Sequence, residues 1–199
     1  DYLYKKNSSG AMELINSLEQ KYMLVCDELY ASDNGKTKGK AFIKSSFDDM
    51  RSLSKSIFTT FEEKNIIAQG ELISTNLFTF YLEEAGVDAC LLPALEYMRI
   101  DKNAEPDMSY IADHLKELLD NQTKHNIYIT QGFICKNFYG ETDNLQRGGS
   151  DYTASIIGAA INSEEIQIWT DIDGMHNNDP RIVENTQPIP YLNFEEAAE

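Results

Sequence analysis

The segment Arg147-Gly148-Gly149-Ser150-Asp151-Tyr152-Thr153-Ala154 combines a cation, a glycine pair and two residues that open helices. Glycines let a backbone approach an anion closely, and the first turn of a following helix points unpaired amides at it. The planar guanidinium of Arg147 adds paired donors that match a carboxylate or a phosphate. The plainer alternative is a capped helix, in which Ser150 or Asp151 holds the first turn and the glycines only shape the backbone. That alternative leaves Arg147 unexplained. Further along, Ile168-Trp169-Thr170-Asp171-Ile172-Asp173-Gly174 reads as a strand ending in a carboxylate-rich turn. It could be a turn and nothing more, but ligands of open parallel sheets gather beyond the carboxyl ends of strands. Asp179-Pro180-Arg181 supplies a second guanidinium. Glu71, in Ala68-Gln69-Gly70-Glu71-Leu72-Ile73-Ser74-Thr75, is by itself most simply a solvated carboxylate on a half-apolar helix.

These residues need elements to position them. Apolar residues at spacings near three and four predict a helix over 11–30, through Leu14, Leu18, Met23 and Leu24. The polar, basic run Gly35-Lys36-Thr37-Lys38-Gly39-Lys40 is expected to break the pattern as a solvated loop. The pattern resumes from Ser46 through Met50, Leu53, Ile57 and Phe61, then again over 68–85, with Gly86 in the usual place after a helix. Gly70 does not interrupt it. Next come a short strand over 87–92 stopped by Pro93, an amphipathic helix over 108–119, and a strand around Ile127-Tyr128-Ile129-Thr130. A helix over 151–161 and a buried strand over 166–169, with Trp169 in the core, complete the series. Strands alternating with helices imply parallel pairing through crossover helices. The expected fold class is α/β, a three-layer αβα sandwich with a mainly parallel open sheet and a helical subdomain. Residues 1–86 would form the mainly helical subdomain and 87–199 the parallel α/β part.

At 199 residues the chain can build one sizeable core. Its net charge of −16 argues against a general binder of nucleic acid or of anionic membranes. An anionic ligand must then find positive charge concentrated locally, and Arg147 and Arg181 are the sources. Cys26, Cys90 and Cys135 are odd in number and far apart, which fits free thiols in a reducing cytoplasm. His114, His125 and His176 share no metal-ligand spacing with them, so no metal site is expected. No apolar run approaches the roughly 20 residues of a membrane span.

The order of RGGSDYTA at 147–154, WTDIDG at 169–174 and DPR at 179–181 resembles the aspartokinases of the amino-acid kinase superfamily. The resemblance implies transfer of the γ-phosphoryl group of ATP to the side-chain carboxylate of L-aspartate, giving 4-phospho-L-aspartate for lysine, threonine and methionine biosynthesis. It implies that Arg147, Gly148, Gly149 and Ser150 hold aspartate, and that Asp151 orders catalytic lysines beside the transferring phosphoryl group. Glu71 would meet the substrate's α-ammonium group, as the similar G-E-L-x-S-T segment does in the family. Thr170 and Asp171 would lie at the nucleotide, with His176 standing where relatives commonly have a tyrosine, and Arg181 facing the phosphates. Thr130-Gln131-Gly132-Phe133-Ile134 would line the substrate cleft. Mg²⁺ would be bound mainly through ATP, and the parent enzyme would be a cytoplasmic homo-oligomer. The family's Lys-Phe-Gly-Gly-Thr-Ser loop does not occur in residues 1–199. The uncapped run at 194–199 also reads as a helix cut short, so the chain is expected to be the middle of a catalytic domain, inactive alone. Glutamate 5-kinases share the T-D-x-x-G turn and D-P-R, and a catalytically silent binding fragment is the remaining alternative.

Overall fold

The computed structural model describes all residues except 56, 146–147, 172–173, 194 and 197–199. Two compact units divide the chain, residues 1–166 and 167–199.

The first unit opens with three long helices, α1 (Ser8–Leu29), α2 (Asp33–Lys55) and α3 (Thr60–Glu84). α1 starts at Asn7, whose side chain accepts from the Gly10 amide. α3 starts with a capping box in which Thr59 and Glu62 each satisfy an amide of the other's turn. The expected loop at 35–40 is instead part of α2, and Gly35 and Gly39 are buried. A Cβ at Gly39 would lie 2.6 Å from the Tyr30 ring, and one at Gly35 would lie 3.1 Å from it. The two glycines, one turn apart, are the groove that receives Tyr30, while Lys38 between them reaches Glu83 and the Phe80 ring of α3. Each glycine costs the helix about 1 kcal/mol in propensity, and close packing of Tyr30 offsets it. The Tyr30 hydroxyl donates to the Leu77 carbonyl at 2.8 Å, which ties this corner to α3.

α3 serves two cores. Ile73 and Leu77 join Ile15, Cys26, Tyr30, Ile43, Phe47 and Met50 in the helical core. Ala68, with Leu72 packed against the same cluster, joins Leu92, Tyr97, Met98, Ile111, Leu115, Ile134 and Ile156 in the α/β core. A helix flanked by apolar clusters on two sides has no single polar face. This explains why Gly70 passes without a break, since α3 is held by tertiary burial.

The rest of the unit is β1 (Ala89–Leu92), α4 (Ala94–Tyr97), α5 (Met108–Asn121), β2 (Ile127–Thr130), β3 (Ile134–Lys136), β4 (Thr142–Asn144) and α6 (Gly149–Ile161). β1 and β2 pair in parallel, from Ala89 opposite Ile127 to Leu92 opposite Thr130, and the connection between them carries α4 and α5. This is the mixed α/β architecture with a short parallel sheet that the alternation implies. β3 and β4 form a separate antiparallel pair, from Ile134 opposite Asn144 to Lys136 opposite Thr142.

The strand expected over 166–169 does not form. Trp169 is 88% exposed, and Ile166 and Ile168 are each nearly half exposed. A strand exists only through its neighbours, and no described strand hydrogen-bonds to this segment. The second unit is closed by a short antiparallel contact, with the Ile189 amide on the Met175 carbonyl at 2.7 Å and His176 opposite Pro188. Of the run at 194–199, only residues 195 and 196 are described, and they are helical.

Candidate functional site

The first candidate site is the start of α6. Gly148 is the residue before the helix, with φ 75° and ψ 9°, a left-handed conformation that suits glycine. No side chain caps the turn, so neither Ser150 nor Asp151 plays that part, and the capped-helix alternative is set aside. Ser150 and Asp151 are exposed, and the first-turn amides point out of the helix end, which favours an anion. Arg147 lies outside the described residues.

What fixes this turn is its inner side. Gly149 is buried, and a Cβ there would lie 2.8 Å from the Phe133 ring and 3.2 Å from the Leu145 Cβ. Gly132 approaches from the end of β2, where a Cβ would lie 3.0 Å from the Ser150 Cα, Cβ and Oγ. Thr153, almost fully buried, donates its hydroxyl to the Gly149 carbonyl at 2.7 Å and accepts from the Phe133 amide at 3.0 Å. Phe133 has φ 69°, which for a non-glycine residue costs about 1 kcal/mol or more. The Thr153 hydroxyl and the Leu145 amide, which donates to the Phe133 carbonyl at 2.8 Å, hold it there. The β2–β3 turn and α6 are thus one packed assembly.

Glu71 lies on α3 and is half-buried. Its carbonyl accepts from the Thr75 hydroxyl at 2.7 Å, and that hydroxyl accepts from the Gln131 side-chain amide at 2.7 Å. Gln131 immediately precedes Gly132, so a continuous set of contacts runs from the Glu71 turn to Ser150. Beneath it, Thr130 shares a hydrogen bond of 2.9 Å with the Tyr97 hydroxyl, whose pKa burial pushes up to about 12. This phenol stays neutral and structural at any physiological pH.

The second candidate site lies within residues 167–199. An open cavity of about 640 Å³ is lined by Thr170, Asp171, Gly174, His176, Asp179 and Arg181, with Ile168, Met175 and Pro180 on its apolar part. All four residues expected at the nucleotide therefore line one space. The size is that of a small-molecule site. The middle of the turn, residues 172–173, lies outside the described residues. Thr170 donates to the Asp171 carboxylate at 3.2 Å, and the His176 ring is hydrogen-bonded to the Thr186 hydroxyl at 3.0 Å.

Arg181 is already engaged. Its Nε and Nη2 donate to the two Asp179 carboxylate oxygens at 3.1 and 2.9 Å, and the Asp179 carboxylate also takes the Arg181 amide at 2.9 Å. The pairing lowers the Asp179 carboxyl below its ordinary range and raises the guanidinium. Asp179-Pro180-Arg181 is therefore a self-contained turn that presents Arg181, 87% exposed, with its remaining donors outward. Among the described residues no three His, Cys, Asp or Glu side chains converge on a metal-sized space. The three cysteines are free, with Cys26 and Cys135 buried and Cys90 half-buried. No described helix is long and apolar enough to cross a membrane.

Residues 9–199 match the profile of the Amino acid kinase family. The chain belongs to that family. Among curated members it is 38% identical over 137 residues to lysine-sensitive aspartokinase 3 of Escherichia coli, covering 67% of this chain and 30% of that protein. It is 37% identical over 140 residues to chloroplastic aspartokinase 1 of Arabidopsis thaliana, covering 67% of this chain and 25% of that protein. The chain thus spans less than a third of the length of these relatives. Among solved structures, E. coli aspartokinase III in complex with aspartate and ADP matches with a TM-score of 0.75 at 27% identity, over 92% of this chain and 41% of that one. Clostridium acetobutylicum aspartate kinase matches with a TM-score of 0.66 at 26% identity, over 88% and 36%.

Within this amino acid kinase fold, Glu71 and the 130–134 segment stand out in the sequence, but the individual hydrogen-bonding parts of Gln131, Thr75 and Thr153 do not. Their neighbours include other polar residues, as in Ser74-Thr75-Asn76 and Thr130-Gln131, so nothing local in the sequence marks them as partners in buried hydrogen bonds.

Proposed function

We propose that the protein is an ATP-dependent aspartate kinase, forming 4-phospho-L-aspartate, and that this chain is part of its catalytic domain. The observation that carries the reading is the opening of α6, a left-handed Gly148 followed by a turn with no side-chain cap and set against Gly132. The similarity to aspartokinases, one of them solved with aspartate and ADP, supports the same substrates. In this reading Arg147, Gly148, Gly149 and Ser150 hold the substrate carboxylate, Glu71 takes its α-ammonium group, and Asp151 orders the lysines that face the phosphoryl group. Thr170, Asp171, His176 and Arg181 serve the nucleotide. The helical residues 1–86 and the α/β residues 87–199 are parts of one domain, and the enzyme is a cytoplasmic homo-oligomer.

The acceptor is a carboxylate already ionised at pH 7, so no general base is required. The protein's task is to bring acceptor and phosphorus into line and to offset charge. Asp171 and Asp179 line the same cavity as Arg181, so an anionic nucleotide needs a countercharge there beyond one guanidinium. Mg²⁺ carried on the ATP phosphates supplies that charge.

The test is chemical. Full-length enzyme with ATP and Mg²⁺ should form a hydroxylamine-trappable acyl phosphate with aspartate and not with glutamate. Trapping with glutamate alone would make it a glutamate 5-kinase. Amino-acid binding without any turnover would make it a silent binder.

A further inference from the structure

We propose that Gln131 is a positioning residue for the acceptor amino acid, setting the Glu71 turn of α3 against the opening of α6. This rests on the reading of Glu71 and residues 148–150 as acceptor-binding. Gln131 is fully buried, and both ends of its amide are used. Its Oε1 accepts from the Ala94 amide at 2.8 Å, and its Nε2 donates to the Thr75 hydroxyl at 2.7 Å. The Thr75 hydroxyl spends its one proton on the Glu71 carbonyl at 2.7 Å. It can therefore only accept from Gln131.

The polarity of the whole set follows. The Ala94 amide can only donate, so Oε1 must face it, and a flipped amide would break both bonds at once. One carboxamide thus joins three places: the α3 turn that carries Glu71, the start of α4 just after β1, and the residue before Gly132. Gly132 in turn touches Ser150 with no room for a side chain. A Thr hydroxyl bonded one turn back is ordinary within a helix. A buried amide docked on that hydroxyl from the turn after β2 is not, and a half-broken network there costs more than an exposed bond. Moving Gln131 moves the group proposed for the ammonium relative to the group proposed for the carboxylate. ATP makes no use of either.

The experiment uses full-length enzyme carrying Thr75→Val, Gln131→Leu, both together, and Thr75→Ser. Loss of the bond should raise KM for the acceptor about ten-fold in each single variant, with KM for ATP unchanged. The double variant should be no worse than the worse single, because both remove the same link. Thr75→Ser keeps the hydroxyl and should restore the acceptor KM. Calorimetric acceptor affinities should show the same pattern without turnover. If Gln131→Leu fails to fold, Thr75→Val and Thr75→Ser carry the test alone. A folded Thr75→Val enzyme with unchanged acceptor KM, or with both KM values raised alike, would overturn the proposal, as would additive losses in the double variant. The unsubstituted enzyme tests the aspartate reading separately. Should it prefer glutamate, that reading falls, and the split is read on glutamate.

Discussion

Gly132→Ala is the sharpest probe of the packed turn beside α6. Gly132 does not adopt a left-handed backbone, so its reason for being glycine is space. An added methyl would lie 3.0 Å from the Ser150 Cα, Cβ and Oγ. Ordinary carbon contacts sit at about 3.5–4.0 Å, so the overlap is about 0.5 Å or more. The Ser150 Cα is main chain in the first turn of a helix and cannot rotate aside. Overpacking of this kind costs about 1–3 kcal/mol. Alanine recovers about 0.4–1 kcal/mol by restricting the unfolded chain. The expected net is a loss of about 0.5–2 kcal/mol, with the opening of α6 displaced. Denaturant unfolding of the full-length enzyme reads the stability, and aspartate and ATP titrations read the site. KM for aspartate should rise and KM for ATP should not. Gly70→Ala is the counterpart, since nothing lies within 4 Å of a Cβ there and the residue is inside α3. It should stabilise by about 0.5–1 kcal/mol. A Gly132→Ala enzyme as stable as the parent, with the same aspartate KM, would refute the close approach and the role given to it.

Three further outcomes are expected. Arg147→Ala should weaken aspartate binding about ten- to a hundred-fold, the worth of a charge-assisted paired contact, with ATP affinity nearly unchanged and little rescue by lysine; calorimetry with each ligand decides it. The Arg99 hydrogen bond holds the Asp107 carboxyl below its usual range, so this pair's stabilisation is complete above about pH 4 and fades as pH falls through the depressed value. Asp107→Asn should therefore flatten the acid limb of a pH-unfolding curve, and an unchanged slope would count against it. Residues 1–199 alone should show no aspartate-dependent ATP turnover, because they contain no Lys-Phe-Gly-Gly-Thr-Ser loop and loss of one charge donor costs about 10²–10³ in rate. Robust turnover by that chain would mean that another lysine, such as Lys136 or Lys40, fills the role.

The sequence by itself determined the elements whose signals are local. Gly86 follows α3 with φ 71°, as the sequence implies. Apolar spacing alone, by contrast, runs the pattern through Ile57 and Phe61 and misses the starts that Asn7 and the Thr59–Glu62 box give α1 and α3. Pro93 ends β1, and the Ile127-Tyr128-Ile129-Thr130 run forms β2. The glycine pair at 148–149 announced a backbone that side chains would obstruct, and both glycines meet that description, one by its φ and one by its crowding. Tertiary structure alone decided the rest. Gly35 and Gly39 look like breakers until Tyr30 is placed on them, because a groove is defined by what fills it. Ile168 and Trp169 look like a core strand, yet apolar character does not provide the neighbour whose amides a strand must share. Gln131 shows the limit most clearly. Its two hydrogen-bond partners lie 37 and 56 residues away, and only folding brings Ala94 and Thr75 to one buried amide.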